Sequence, residues 1–172
     1  MCLNGGILPL QTYLNNDRNK TYMNEAMTKA KSLLNGKTTC VLADAAGHII
    51  RSERRGIAPM MLLFEQLGDT KLPEGFCAAD KIVGKAAAFL FVRAGINSVY
   101  AEVLSRDGKA VLDAYGIPVE YETLSDRIIN RTGDDICPME KCVAACKEPE
   151  EGYLALRKLC LELGILKTEE EE

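Results

Sequence analysis

Residues 85–105, KAAAFLFVRAGINSVYAEVLS, decide the architecture. From Lys85 to Ala94 the residues are apolar on every side except at the ends, which predicts a helix enclosed by other elements. Gly95-Ile96-Asn97 stops it, and Ser98 to Leu104 then reads as a strand. A buried helix feeding straight into a strand is the building unit of an α/β sheet.

Working outward toward the C-terminus, Arg106 to Tyr115 reads as a helix ending at Gly116, and Pro118 to Tyr121 as a short strand. A polar segment, SDRIINRTGDD (125–135), precedes Cys137-Pro138, which opens another helix. Pro149 begins the last one, with Tyr153, Leu156, Leu159, Cys160 and Leu163 on one stripe. Toward the N-terminus, Phe76 to Gly84 reads as the approach to the buried helix, and Met60 to Leu67 as a short helix behind Pro59. Residues 38–43 and 48–52 read as a hairpin around Asp44–Gly47. Thr21 is placed to cap a helix carrying Tyr22, Ala26, Met27, Ala30, Leu33 and Leu34 on one side.

These elements predict an α/β domain of three layers, α/β/α, with one mixed sheet: an antiparallel hairpin joined by strands that arrive through helical crossovers. The expected division is an N-terminal arm at 1–20, the α/β domain at 21–147, and a C-terminal helix with an acidic tail at 148–172. The composition agrees with one ordinary domain: 172 residues, 47% hydrophobic and 27% charged. A net charge of −4 argues against binding extended nucleic acid through a broad basic surface. No apolar run approaches the roughly 18 residues that span a bilayer, so no membrane partner is expected. Seven cysteines, an odd number, without a basic leader segment fit a reducing, cytoplasmic setting.

Three constellations could carry chemistry. The first is Asp80, Lys81, Gly84 and Lys85 at the entrance to the buried helix. A lysine in the first turn opposes the helix dipole, so something must offset it. Either the helix N–H groups, Lys85 and Lys81 surround an anion, or Lys85 pairs with Asp80 or another carboxylate and reaches outward. Gly84 suits both, because it permits close approach of a ligand or of backbone. The second is Cys137-Pro138-Met139-Glu140, where Cys137 caps a Pro-started helix. A thiol beside free N–H groups is an activated nucleophile, whereas the charges of Asp134 and Asp135 would oppose that, and a plain capping cysteine is the alternative. The third is Asn130 and Arg131 in the polar loop, with Arg127 nearby; the arginine fork suits carboxylate or phosphate.

Metal chemistry has less to build on. Cys137, Cys142 and Cys146 suggest a cluster by number, but their spacing is not that of the familiar metal motifs, and His48 is the sole histidine. Cys40, Cys77 and Cys160 fall in apolar surroundings that packing explains. No cofactor is implied.

The segments ADKIVGKAAAFLFVRAGINSVYAEVLS (79–105), DAYGIPVEY (113–121) and IINRTGDDICPMEK (128–141) resemble an uncharacterised bacterial family whose fold is similar to that of cytidine deaminase. The resemblance spans roughly residues 21–146 and implies a pocket at the N-termini of the two central helices, near Lys85 and Ser105–Asp107. Zinc deaminases place H-x-E or C-x-E at the first helix and P-C-x-x-C at the second. This chain has Gly84-Lys85-Ala86-Ala87 and Ser105-Arg106-Asp107-Gly108 there, so the ligands and the proton-shuttling glutamate are absent. That points away from zinc-dependent deamination.

Two functions remain. One is a binding protein for a small anionic or nucleotide-like molecule held by Lys81, Gly84, Lys85, Asn130 and Arg131. The other is a metal-independent enzyme acting on such a molecule, with Cys137 as nucleophile and Glu140 or Asp80 carrying protons. Self-association as a homodimer is compatible with either.

Overall fold

The computed structural model describes residues 25–68, 70 and 72–167. The expected arm at 1–20, the cap at Thr21 and the acidic tail from 168 lie outside them. Eleven elements follow in order: α1 (25–33), β1 (Cys40–Ala43), β2 (Ile49–Ser52), α2 (Ala58–Leu67), β3 (Cys77–Val83), α3 (Lys85–Ala94), β4 (Ser98–Ser105), α4 (Arg106–Ala114), β5 (Val119–Ser125), α5 (Pro138–Val143) and α6 (Pro149–Glu162).

The sheet is mixed, with strand order β2-β1-β3-β4-β5. β1 runs antiparallel to both β2 and β3, whereas β3–β4 and β4–β5 are parallel and joined through α3 and α4. Helices cover both faces. Ala26, Met27 and Ala30 of α1 pack on Val41, Ala43, Cys77, Ala79 and Tyr100, while the larger core on the other face centres on α3, with Phe89, Leu90 and Phe91 excluded from water. Burying each such side chain contributes about 1.5–3 kcal/mol.

Two strands differ from the sequence expectation. Residues 77–83 are the middle strand of the sheet, not a mere approach to α3. Alanine, aspartate and lysine are poor strand formers, and a strand covered on both faces lacks the polar–apolar alternation that reveals a half-buried one. β5 also runs on to Ser125, past the expected end at Tyr121. It is an edge strand, exposed over most of its length, and its Glu120 and Glu122 obscure an apolar pattern while discouraging edge-to-edge pairing.

Two glycines set how closely the central elements meet. A Cβ on Gly108, in the first turn of α4, would sit 2.9 Å from the backbone of Gly84. A Cβ on Gly152 of α6 would lie 2.5 Å from the Phe89 ring, so α6 seats directly on α3, adding Leu156 and Cys160 to the same core. Among the described residues no helix is long and apolar enough to cross a membrane.

Candidate functional site

The register of the sheet brings distant residues to one place. Cys40 lies opposite Asp80, and the Lys81 N–H donates to the Thr39 carbonyl at 3.1 Å, so the start of β1 adjoins the end of β3. The hairpin returns the chain to the same level, where the Thr39 N–H donates to the Ser52 carbonyl at 2.9 Å. Lys37 before β1 and Arg55 after β2 therefore reach the sheet end where Asp80 and Lys81 lie. That end holds the carboxyl termini of the parallel strands, the position where ligands bind in open α/β sheets.

A cleft of about 1110 Å³ opens there. Its far wall is the loop after β5, which Asn130 organises: its Oδ1 accepts the Gly133 N–H at 2.9 Å, and its Nδ2 donates to Asp134 at 2.9 Å. Ile129 bridges Ile136 across the loop, and the Cys137 N–H donates to the Ile128 carbonyl at 2.9 Å. Arg131 is thus presented from a closed, hydrogen-bonded turn.

Of the residues singled out from sequence, Asp80, Lys81, Gly84, Asn130, Arg131, Cys137 and Glu140 line this one cleft. Lys85 does not. Its Nζ donates to the Ala144 carbonyl at 2.9 Å and lies 5.4 Å from the centre of the Phe89 ring, facing a smaller cavity of about 530 Å³ beyond Glu140. The sequence reading missed Lys37, Thr39 and Arg55, which also line the cleft. The available signal was a hairpin with basic residues outside both of its open ends, which an antiparallel pair must bring together.

The N-terminus of α3 already carries an anion. Glu140 Oε2 accepts the Lys85 N–H and Oε1 accepts the Ala86 N–H, each at 2.9 Å. The offset expected for the α3 dipole is therefore the chain's own carboxylate, delivered from α5, and the Lys85 ammonium turns away from it. Burial pushes the Glu140 carboxyl above its ordinary range and the two N–H groups pull it back, while the nearby charge of Asp107 adds to the rise. Gly84 is the residue that admits this carboxylate, since a Cβ there would stand 2.5 Å from Glu140 Cδ.

Cys137 is the N-cap of α5, half-buried on the cleft wall, but its thiol makes no capping hydrogen bond. The N–H stabilisation that would mark it as an activated thiol is missing from this geometry. The residues do not fit a deaminase-type zinc either. Gly84–Ala87 and Ser105–Gly108 offer no histidine or cysteine, and the α3 N-terminus is taken up by Glu140. Among the described residues no three His, Cys, Asp or Glu side chains are grouped so as to hold a metal ion.

Asp80 forms the floor. It is 7% exposed, and its Oδ1 accepts the Ile82 N–H at 3.0 Å. Burial pushes its carboxyl up to about 7; hydrogen bonds from the Ile82 and Lys81 N–H groups and the Cys40 thiol oppose this, and Glu102 adds a like charge.

The electrostatic balance of the cleft is opposite to that of the chain. Lys37, Arg55, Lys81 and Arg131 all line it, and none makes an ion pair with another described residue. Against them stand Glu53, the helix-bound Glu140 and the buried Asp80. A protein of net charge −4 thus gathers four cations, unpaired among the described residues, around one concavity, which focuses positive potential there.

A family model described as a domain of unknown function, DUF1893 (TM1506), matches residues 28–160, a span that contains every cleft residue named above. The crystal structure of a DUF1893 family protein (TM1506) from Thermotoga maritima superposes with a TM-score of 0.68, covering 81% of this chain and 90% of that one at 24% identity. No curated protein matches.

Proposed function

This chain belongs to the DUF1893 family, a family of unknown function, and from its own geometry we propose that it binds a small anionic or nucleotide-like molecule in the cleft at the end of β3. The carrying observation is the convergence of Lys37, Arg55, Lys81 and Arg131, unpaired among the described residues, on a single concavity of metabolite size. Unpaired cations repel one another, and an anion relieves that repulsion while gaining charge-assisted hydrogen bonds. Arg131 provides a planar fork for phosphate or carboxylate, and Lys81 a mobile point charge. We read the scaffold as deaminase-like without its metal. Support for this comes from the mixed sheet and from the N-termini of α3 and α4 meeting at Gly84 and Gly108.

Cys137 on the same wall supports a second reading, in which the ligand is also transformed, with Cys137 as nucleophile and Asp80 or Glu140 moving protons. The two readings separate in one experiment. Nucleotides, phosphorylated metabolites and organic acids are screened by thermal shift, and hits are titrated against variants. Arg131→Ala or Lys81→Ala should raise Kd about tenfold, equivalent to about 1.4 kcal/mol. Cys137→Ser should leave Kd unchanged and the bound compound should be recovered intact; recovery of a converted compound, lost with Cys137→Ser, would replace binding by catalysis.

A further inference from the structure

Asp80 is not accounted for by an anion site. It is a carboxyl nine-tenths buried at the floor of a cleft whose rim is cationic, yet none of those cations pairs with it. Its neighbours supply two backbone N–H groups, from Ile82 at 3.0 Å and from Lys81, and the thiol of Cys40 on β1; the charged group that acts on it from β4, Glu102, has the same sign. A buried carboxyl without a counter-charge destabilises a fold, and a neutral asparagine would accept the same Ile82 N–H without that penalty. A carboxylate also has about four acceptor positions, of which these partners fill three, leaving one for a ligand.

We propose that Asp80 is a second recognition point in the cleft, accepting a hydrogen bond from an N–H donor group on the ligand whose anionic end the rim cations hold. This rests on the anion-binding reading above and deepens it: the ligand class is bipolar, anionic at one end and an N–H donor at the other. The donor group is either an alkylammonium or the amide–amine edge of a nucleobase, because each presents N–H donors to a carboxylate. Asp80 touches ligand through its carboxyl, and Lys81 and Arg131, which line the same cleft, hold the other end.

The test uses probes matched in their anionic end. Wild-type protein is titrated calorimetrically at pH 8 with ethyl phosphate and O-phosphoethanolamine, with hexyl phosphate and 6-aminohexyl phosphate, and with inosine and guanosine monophosphates. In each pair the second member adds the N–H donor group, the alkyl pairs covering two reaches and the nucleotide pair the base edge. The expected result is that in at least one pair the donor-bearing member binds tenfold or more tightly. That preference should fall below twofold in Asp80→Asn, which keeps the acceptor for the Ile82 N–H, through loss of affinity for the donor-bearing member, while affinity for the partner lacking the donor does not fall. The pair that responds identifies the source of the donor. Equal affinities within every pair, or a preference that survives Asp80→Asn, would overturn the bipolar assignment while leaving anion binding intact. No heat from any probe, inorganic phosphate included, would overturn the anion-binding reading as well.

Discussion

Glu140 and Gly84 act as one unit. The carboxylate satisfies two N–H groups at the start of α3 and occupies the space that a Cβ at position 84 would need. Glu140→Ala leaves the Lys85 and Ala86 N–H groups without a partner and should destabilise the fold by about 1–3 kcal/mol. Gly84→Ala should cost a comparable amount by pushing the carboxylate away. Because both act on the same contact, the double variant should be less destabilised than the sum of the two, by roughly 1 kcal/mol or more in denaturant titrations. Strict additivity would mean that the carboxylate does not occupy this position. Sequence reading saw the need for an anion at Lys85 but not its source, since nothing local connects residue 85 with residue 140.

Asp80 makes a pH prediction of opposite sign to that of a salt-bridged carboxylate. Its carboxyl lies near 7 in the fold and near 4 in an unfolded chain, so the folded state holds the proton more tightly between those values. The contribution is fully favourable below about pH 4 and is lost as pH rises to 7. Asp80→Asn removes the titration. The stability of wild type relative to Asp80→Asn should therefore fall by roughly 2–4 kcal/mol from pH 4 to pH 7, measured by urea unfolding at several pH values. A difference that does not change with pH would contradict the burial that sets the Asp80 carboxyl.

At the scale of elements, legibility followed periodicity. α3 was plain because its apolar residues surround it, and β4 because it is aromatic and β-branched. β3 was hidden although it is the most central strand, since its identity is imposed by neighbours on both edges and both faces. The position of α6 was only half legible. Its stripe announced an amphipathic helix, but its docking depends on a single residue without a side chain, Gly152 against Phe89. Gly152→Ala puts a methyl group where the Phe89 ring lies and should lower stability by about 1–3 kcal/mol, with a visible fall in melting temperature. An unchanged melting temperature would mean that α6 can shift on α3 without loss.

For the whole molecule, the sheet acts as an assembler. The segments 37–39, 53–58, 80–84 and 128–140 are far apart in sequence, and the antiparallel hairpin, β3 and the loop after β5 deliver them to one cleft. Most of the candidate residues were found because their chemistry was unusual for their local context: a lysine on an apolar helix, a cysteine at a helix start, an arginine in a polar loop. Lys37 and Arg55 look like ordinary surface charges in the sequence, and the strand register brings them to the sheet end where Lys81 lies, in a cleft that Arg131 also lines. The opposition between an acidic chain and a cationic cleft is likewise a property of the fold, not of any segment.

The most direct test of the cleft is titration of the best phosphate-bearing hit from the thermal-shift screen into wild type and the Lys81→Ala/Arg131→Ala double variant, at low and physiological salt. Wild type should bind with a melting-temperature rise of about 5 °C or more at saturating ligand, the double variant should lose most of that rise, and added salt should weaken wild-type binding. A panel in which no anion shifts the wild-type transition, or a shift of the same size in the double variant, would contradict the assignment of this cleft as an anion-binding site.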